Sequence, residues 1–228
     1  MKAVATTSWA TAALLGIQDE ELTPEQNLTA LSELAPIARE ASIPISTDLR
    51  DGFDDPRQVT ADAFGVGASG ANIEDSIPSV NFAGGVDEAL YPLDEQLRRL
   101  KSALSAVPED FVLNARCDVF RLQPPPKDDD EEAMQEAIKR GKAYLEAGAT
   151  TVFYWGGARG LRTSEVKRLV KELDGRVAVL LRAGGLTTAE LAEIGVARIS
   201  IGPHLYRLAM RTVRDKAAKI IGGGGLSV

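Results

Sequence analysis

Ala71-Asn72-Ile73-Glu74-Asp75 begins as an apolar strand and runs out in two acids. Two other stretches end in the same way. Ile45-Ser46-Thr47-Asp48 closes on an aspartate, and Val112-Leu113-Asn114-Ala115-Arg116 closes on an arginine. Each is followed by a loop and then by a helical pattern. Acids delivered by separate parallel strands to one rim are what a hard divalent cation needs, and an arginine beside them suits a carboxylate. Acids at a strand end also serve as N-caps of the next helix, which is their commonest use. Three such ends along one chain favour a site over capping alone.

Working outward, strand-like runs recur at residues 2–7, 44–49, 71–74, 111–116, 150–155, 177–182 and 197–201. Most are continuously apolar, as expected of strands covered on both faces. The helices between them announce their starts. Thr23-Pro24-Glu25-Gln26 combines an N-cap, a first-turn proline and a capping-box glutamine; Asp55-Pro56 opens the next helix; Thr187-Thr188-Ala189-Glu190 is a second capping box. Gly148 and Gly195 follow helical runs, just before a strand. A βα unit repeated seven times predicts a parallel α/β fold. Residues with chemistry at the ends of many strands, and no Gly-x-Gly-x-x-Gly opening a helix, favour a TIM-type barrel over an open sheet. Seven strands read as an eight-strand barrel short of one unit.

The 228 residues suit one substantial core, so a single barrel domain over 1–228 is expected. Apolar residues make up 44% and charged residues 26%, and the net charge is −7 with basic residues scattered among acids. That argues against nucleic acid or an anionic membrane as the main partner. No apolar run approaches the roughly 20 residues of a membrane helix. The first eight residues are too short and too soon polar for a secretion signal. One cysteine, Cys117, and one histidine, His204, make neither an internal disulfide nor a zinc site. A cytoplasmic protein is expected.

Two segments break the rhythm. Residues 76–92 form a long polar connection after Glu74-Asp75, placed where a lid over the site would sit, or else a surface insertion. Residues 122–130 read as a solvated loop whose aspartates cap the following helix. Residues 221–228 read as a flexible tail. Other candidates have plainer readings beside them. Gly184 and Gly202 are placed to bind phosphate after the last strands or simply to turn the chain, with His204 in a solvated first turn. Trp155 shapes the pocket or fills core. Arg182 is a second carboxylate ligand or, more commonly, a salt-bridge partner. Cys117, beside Arg116 and on the opposite strand face, reads as packing.

These segments resemble the isocitrate lyase/phosphoenolpyruvate mutase superfamily, most of all its small members similar to carboxyphosphonoenolpyruvate phosphonomutase and methylisocitrate lyase. The resemblance runs nearly end to end. Ala3-Val4-Ala5-Thr6-Thr7-Ser8 with Leu15-Gly16-Ile17-Gln18-Asp19 is similar to the family's second strand and its aspartate loop. Residues 44–53 resemble the Asp-x-(Asp/Glu)-x-Gly-Tyr metal segment, and residues 70–76 the Gly-x-Asn-x-Glu-Asp strand. Asn114-Ala115-Arg116-Cys117-Asp118 resembles the Ala-Arg-Thr-Asp element, and residues 144–149 and 195–206 complete the run. The resemblance implies a phosphoenolpyruvate mutase/isocitrate lyase-type barrel, magnesium-dependent and usually a homo-oligomer. It implies a lyase for a small 2-oxo or 2-hydroxy carboxylate, with an enolate stabilised as a carbon–carbon or carbon–phosphorus bond breaks. By position, Asp48, Glu74 and Asp19 would hold Mg2+. Arg116, with Asn114 near it, would bind the substrate, and Thr7, Ser8 and Trp9 would grip its other end.

Three departures from the family pattern stand out. The second acid of the metal segment is Arg50, expected to face inward two residues after Asp48 and to oppose an ion or pair with Asp48 or Glu74. Residues 76–85 carry no Cys, Lys or His, leaving Asn81 and the serines as donors. The family's first strand–helix unit has no counterpart, which would leave two unpaired edges. These departures support one alternative, a catalytically silent barrel retained for ligand binding or assembly; the Gly184 and Gly202 loops leave another, a phosphate-sugar isomerase or aldolase-like barrel.

Overall fold

Seven parallel strands pair in chain order in the computed structural model, which describes residues 3–226. They are β1 (Val4–Ala5), β2 (Ile45–Asp48), β3 (Gly70–Glu74), β4 (Val112–Cys117), β5 (Thr151–Tyr154), β6 (Val177–Leu180) and β7 (Arg198–Ser200). All seven expected strands form, each within a residue or two of its expected bounds. Residue 2 of the first expected strand, and the last two residues of the expected tail, lie outside the described residues.

Helices fill the connections: α1 (Ser8–Leu15), α2 (Pro24–Glu40), α3 (Pro56–Val66), the short α4 (Val86–Ala89), α5 (Leu93–Leu104), α6 (Glu131–Glu146), α7 (Thr163–Glu172), α8 (Thr188–Ile194) and α9 (His204–Ile221). Their starts follow the local chemistry. The Thr23 hydroxyl accepts from Gln26 N while Gln26 answers Thr23 N; Asp55 accepts from Arg57 N and Gln58 N; Asp130 caps α6 through Ala133 N. Among the described residues no helix is long and apolar enough to cross a membrane.

Parallel pairing puts matched residues on the same face, and successive residues on opposite faces. Ile73, Ala115, Val152 and Val177 are matched across β3 to β6, all fully buried, and point outward against the helices. There they meet Leu100 of α5, Ala137 and Tyr144 of α6, and Leu169 of α7. The alternate rungs face inward. Asn72, Asn114 and Thr151 make one, and Glu74, Arg116 and Phe153 make the next toward the strand ends. The inner layer is therefore polar at its centre, and the main apolar core lies between strands and helices.

The sheet curls into a half-barrel. Trp9, just after β1, and Tyr206, just after β7, meet edge to face with ring centroids 6.1 Å apart. Closure is where the structure differs from a complete barrel. Among the described residues β1 and β7 are the edges, and no bridge joins them.

Gly70 marks a close approach between β3 and β4. A Cβ built there would stand 2.5 Å from the Val112 carbonyl oxygen, which backbone pairing cannot give up. Gly70→Ala is expected to lower unfolding stability by about 1–3 kcal/mol through overpacking, measured by urea denaturation. A variant within about 0.3 kcal/mol of the parent would show that the β3–β4 spacing is not under this constraint.

Candidate functional site

The C-terminal ends of the strands surround one large cavity of about 1350 Å³. Asp48 ends β2, Glu74 ends β3 and Arg116 is the next-to-last residue of β4. All three line the cavity, together with Asp19 from the 3-10 turn Asp19–Glu21 and with Thr7, Ser8 and Trp9 at the start of α1. The first turn of α1 faces Asp48, whose Oδ2 accepts from both Ser8 N and Ser8 Oγ at 3.3 Å. Thr6 Oγ1 accepts from Asp48 N at 3.1 Å, which fixes the end of β2 against β1.

Arg116 is held by two acids. One of its terminal nitrogens pairs with Glu74 Oε2, and its Nε donates to Asp118 Oδ1 at 2.9 Å. Trp155 Nε1 donates to the same oxygen at 2.7 Å, and the Trp155 ring lies 5.1 Å from the guanidinium. Burial works against the charge on Arg116, yet Asp118 and then Glu74 hold its pKa above the ordinary arginine value. Glu74 is itself pushed up to about 8. Burial is the main cause; Arg116 opposes it, and Asp118 and Asp48 add to it. Burial, then the charge of Asp48, raise Asp19 as well. Asp19 Oδ1 and Asp118 Oδ2 are buried without a hydrogen-bond partner. Carboxylates thus outnumber the cations they touch at the mouth of the curl.

Behind this rim lies a buried polar anchor. Asp75, fully buried, accepts from Tyr144 Oη at 2.6 Å, from Asp118 N at 2.9 Å and from Arg140 at 3.3 Å. Asp75 N donates to the Arg116 carbonyl at 3.1 Å. These bonds lock the end of β3 to the end of β4 and set the position of Asp118. Burial, joined by Asp118, raises the Asp75 pKa to about 6, with Arg140 opposing. Sequence reasoning passed over Asp118 and Asp75 as partners; the signal was present in Asp118 lying two residues after Arg116.

Three expectations change. Asn114 does not reach the cavity: its amide donates to Asn72 Oδ1 at 2.8 Å and accepts from Thr151 Oγ1 at 2.6 Å, one rung below. Arg50 does not continue the strand. β2 ends at Asp48, Arg50 takes a left-handed φ of 54°, and its guanidinium turns to the carbonyls of Glu20 and Leu22, with the Phe53 ring 5.5 Å away. The guanidinium pairs with neither Asp48 nor Glu74 and ties down the Asp19 turn instead, while Arg50 N donates to Asp48 Oδ1 at 3.4 Å. Arg182 makes no ion pair among the described residues and donates to the Arg159 carbonyl. Asp51 accepts from Tyr91 Oη at 2.7 Å and from Arg99, away from the rim. Cys117 is fully buried on the outward face, matched to Tyr154, and burial pushes its thiol up.

The first part of residues 76–92 lines the cavity. Ser76 Oγ donates to Glu74 Oε1 at 2.8 Å, Ser76 bridges Leu90, and Gly84 N donates to Gln123 O. Ile77, Pro78, Asn81 and Phe82 line the cavity, and Arg121 stacks 4.2 Å from the Phe82 ring.

Among the described residues no three or more His, Cys, Asp or Glu side chains are grouped tightly enough to enclose a metal by themselves. The donors present suit an ion that keeps much of its water. Magnesium is usually bound through one or two carboxylates plus waters, and the unpartnered Asp19 oxygen and the cavity-lining Asp48 carboxylate are donors of that kind.

A family profile described as phosphoenolpyruvate phosphomutase matches residues 1–221. Phosphonopyruvate hydrolase of Variovorax sp. (strain Pal2) is 28% identical over 217 residues, covering 89% of this chain and 71% of the relative. The Corynebacterium glutamicum protein named "Probable 2-methylisocitrate lyase 1" is 31% identical over 212 residues, covering 86% and 65%. A solved structure from Burkholderia cenocepacia J2315, described as a candidate phosphonomutase, superposes with a TM-score of 0.82 at 34% identity, covering 98% of this chain and 85% of that one. A phosphonopyruvate hydrolase solved in complex with oxalate and Mg2+ superposes with a TM-score of 0.79 at 25% identity, covering 98% and 76%.

The Asp75 anchor gives a stability test. Arg140→Met leaves a fully buried carboxylate without its cation, and a loss of about 3–5 kcal/mol in urea unfolding at pH 7.5 is expected. A loss below about 1 kcal/mol would mean that Asp75 is not held as an anion in the folded chain.

Proposed function

The chain belongs to the phosphoenolpyruvate phosphomutase family, and on that premise we propose a magnesium-dependent lyase acting on a small 2-oxo or 2-hydroxy carboxylate. The bond broken is carbon–carbon or carbon–phosphorus, and the charge to be stabilised is that of an enolate. One observation carries the reading. Asp19, Asp48 and Glu74 come from three separate segments, line the same cavity as Arg116, and Asp48 raises the proton affinity of both other acids. Carboxylates that burden one another in this way gain most from a shared cation.

In this reading Asp48 and Asp19 hold the ion, with Glu74 beside them or acting through water. When bound, magnesium supplies Lewis-acid stabilisation of negative charge developing on a substrate oxygen. The chain's own groups do the remainder. Arg116, fixed by Asp118 and Glu74, presents a guanidinium whose position is set before substrate arrives, which suits a carboxylate. The first turn of α1, at Thr7, Ser8 and Trp9, offers a favourable helix end to the other anionic group, with Ser8 N already donated to Asp48. Residues 76–92 act as a lid that keeps water from the reacting end, with Ser76 and Asn81 as its polar contacts. With Phe82 at the lid and no Cys, Lys or His in residues 76–85, proton transfer falls to groups of the rim.

The protein is read as a single barrel domain and a cytoplasmic homo-oligomer. Exposed Leu205, Leu208 and Val213 on α9 support a contact with a second copy. The silent-barrel alternative has the same cavity without ion binding.

Magnesium with oxalate, each near 100 times its dissociation constant, is expected to raise the melting temperature by several degrees. Arg116→Gln should remove the oxalate part of that shift. No shift in the folded parent protein would favour the silent barrel. Arg50→Asp is expected to tighten magnesium binding in calorimetry by on the order of tenfold, because it replaces a cation beside Asp48 and Asp19 by an acid. Unchanged affinity would mean that Asp48 and Asp19 do not hold the ion.

A further inference from the structure

Two backbone carbonyls at the rim have lost their ladder partners. Between β1 and β2 the pairing runs regularly, with Val4 N donating to Pro44 O and Thr6 N to Ser46 O, each at 3.0 Å. The next donor and acceptor in that series are Ser8 N and the Asp48 carbonyl. Ser8 N turns instead to the Asp48 carboxylate, and Asn27 Nδ2 of α2 takes the carbonyl at 2.8 Å. β3 repeats the arrangement. Leu49 N donates to Asn72 O at 3.0 Å, and the next carbonyl facing β2 is that of Glu74. By then the chain has left the strand at Arg50, and Gln96 Nε2 of α5 takes the Glu74 carbonyl at 3.1 Å.

The two amides are alike in a second respect. Both are buried, and neither Asn27 Oδ1 nor Gln96 Oε1 has a hydrogen-bond partner. Each gives a donor to a strand end and leaves its own acceptor unsatisfied, which costs stability that an apolar side chain would not. The helices around them ask for such an apolar residue. Asn27 precedes buried Leu31 and Ala35 on one stripe of α2, and Gln96 precedes buried Leu100 and Ala103 on one stripe of α5. Packing alone therefore gives no reason for an amide at either position. What the two share is the target: the carbonyl of the last residue of a strand, where that residue is Asp48 or Glu74.

We propose that Asn27 and Gln96 are positioning residues for the rim acids, each fixing a strand-end peptide so that Asp48 and Glu74 hold their carboxylates where one magnesium ion can use both. The inference rests on the magnesium reading above. Neither amide lines the cavity, so neither touches ion or substrate. Their action is indirect. A strand end without a ladder partner is free to swing, and the carboxylate swings with it. The negative charge of Asp48 bears on Glu74, so without a cation the two acids gain by moving apart. An amide anchoring each carbonyl opposes that movement, and the ion finds its ligands already placed.

The test separates magnesium affinity from stability. Asn27→Leu and Gln96→Met replace each amide by an apolar side chain of comparable length, removing the donor and the unsatisfied oxygen together. Urea unfolding is expected to show midpoints equal to or above the parent's. Calorimetry with magnesium chloride alone, on fully folded protein, is expected to show affinity weakened on the order of tenfold by either change. Should an apolar variant fail to fold, Asn27→Ala and Gln96→Ala are compared with Leu31→Ala and Leu100→Ala, which loosen the same helices without touching a strand-end carbonyl. The first pair should lose magnesium affinity; the second should lower the urea midpoint and keep affinity within about twofold of the parent. Parent-like affinity in the Asn27 and Gln96 variants overturns the inference, as does an equal loss in both alanine pairs, and either result leaves the ion site standing. A parent protein that binds no magnesium removes the ion site itself, and the inference with it.

Discussion

Glu74 and Arg116 face each other in the β3–β4 ladder, and the chemistry of the rim follows from that pairing. In a parallel register matched residues must share a face, so the acid and the guanidinium look into the same cavity. Arg116 also answers to Asp118, which leaves one cation serving two carboxylates with Asp48 close enough to be felt by both Glu74 and Arg116. The geometry is held from behind by Asp75, whose carboxylate and backbone tie the ends of the two strands together. A surplus of buried negative charge arises from strand pairing itself, and it can be relieved only by protons or by an added cation.

The strand rhythm was legible because most parallel strands are buried on both faces and leave continuous apolar runs, such as Val177 to Leu180. Helix starts were legible for a local reason: Thr23, Asp55 and Thr187 cap through atoms only two or three residues away. The rim residues Asp48, Glu74 and Arg116 were visible as charged endings on those runs. Their pairing was not, since it depends on register between strands some forty residues apart. Arg50 was misjudged because a period of two holds only while the strand lasts, and β2 stops at Asp48. Asn114 was misjudged by one rung: it lies inward but a layer too deep, where Asn72 and Thr151 consume its amide. Asn27 and Gln96 gave no sign of their targets in the sequence, because the carbonyls they reach lie 21 and 22 residues away.

The departures at Arg50 and the lid act on different parts of the site. Arg50 has moved off the rim line and become a tether for the Asp19 turn through the Glu20 and Leu22 carbonyls. It adds positive charge near the acids without neutralising either by contact. Residues 76–82 meet the cavity with apolar Ile77, Pro78 and Phe82 beside polar Ser76 and Asn81, and Arg121 stacks on the Phe82 ring. Acids line one wall of the cavity, and Arg182, Arg198 and Arg207 line the other.

The central claim is that acids from three segments gather about one cation beside Arg116. Anomalous diffraction from a crystal grown with oxalate and manganese, which shares magnesium's preference for oxygen ligands, tests it directly. The account expects one peak within about 2.0–2.4 Å of an Asp48 oxygen. Asp19 or Glu74 should lie in the same coordination shell, directly or through one water, with oxalate between the ion and Arg116. A peak elsewhere in the molecule, or oxalate bound at the rim with no metal peak, would contradict it.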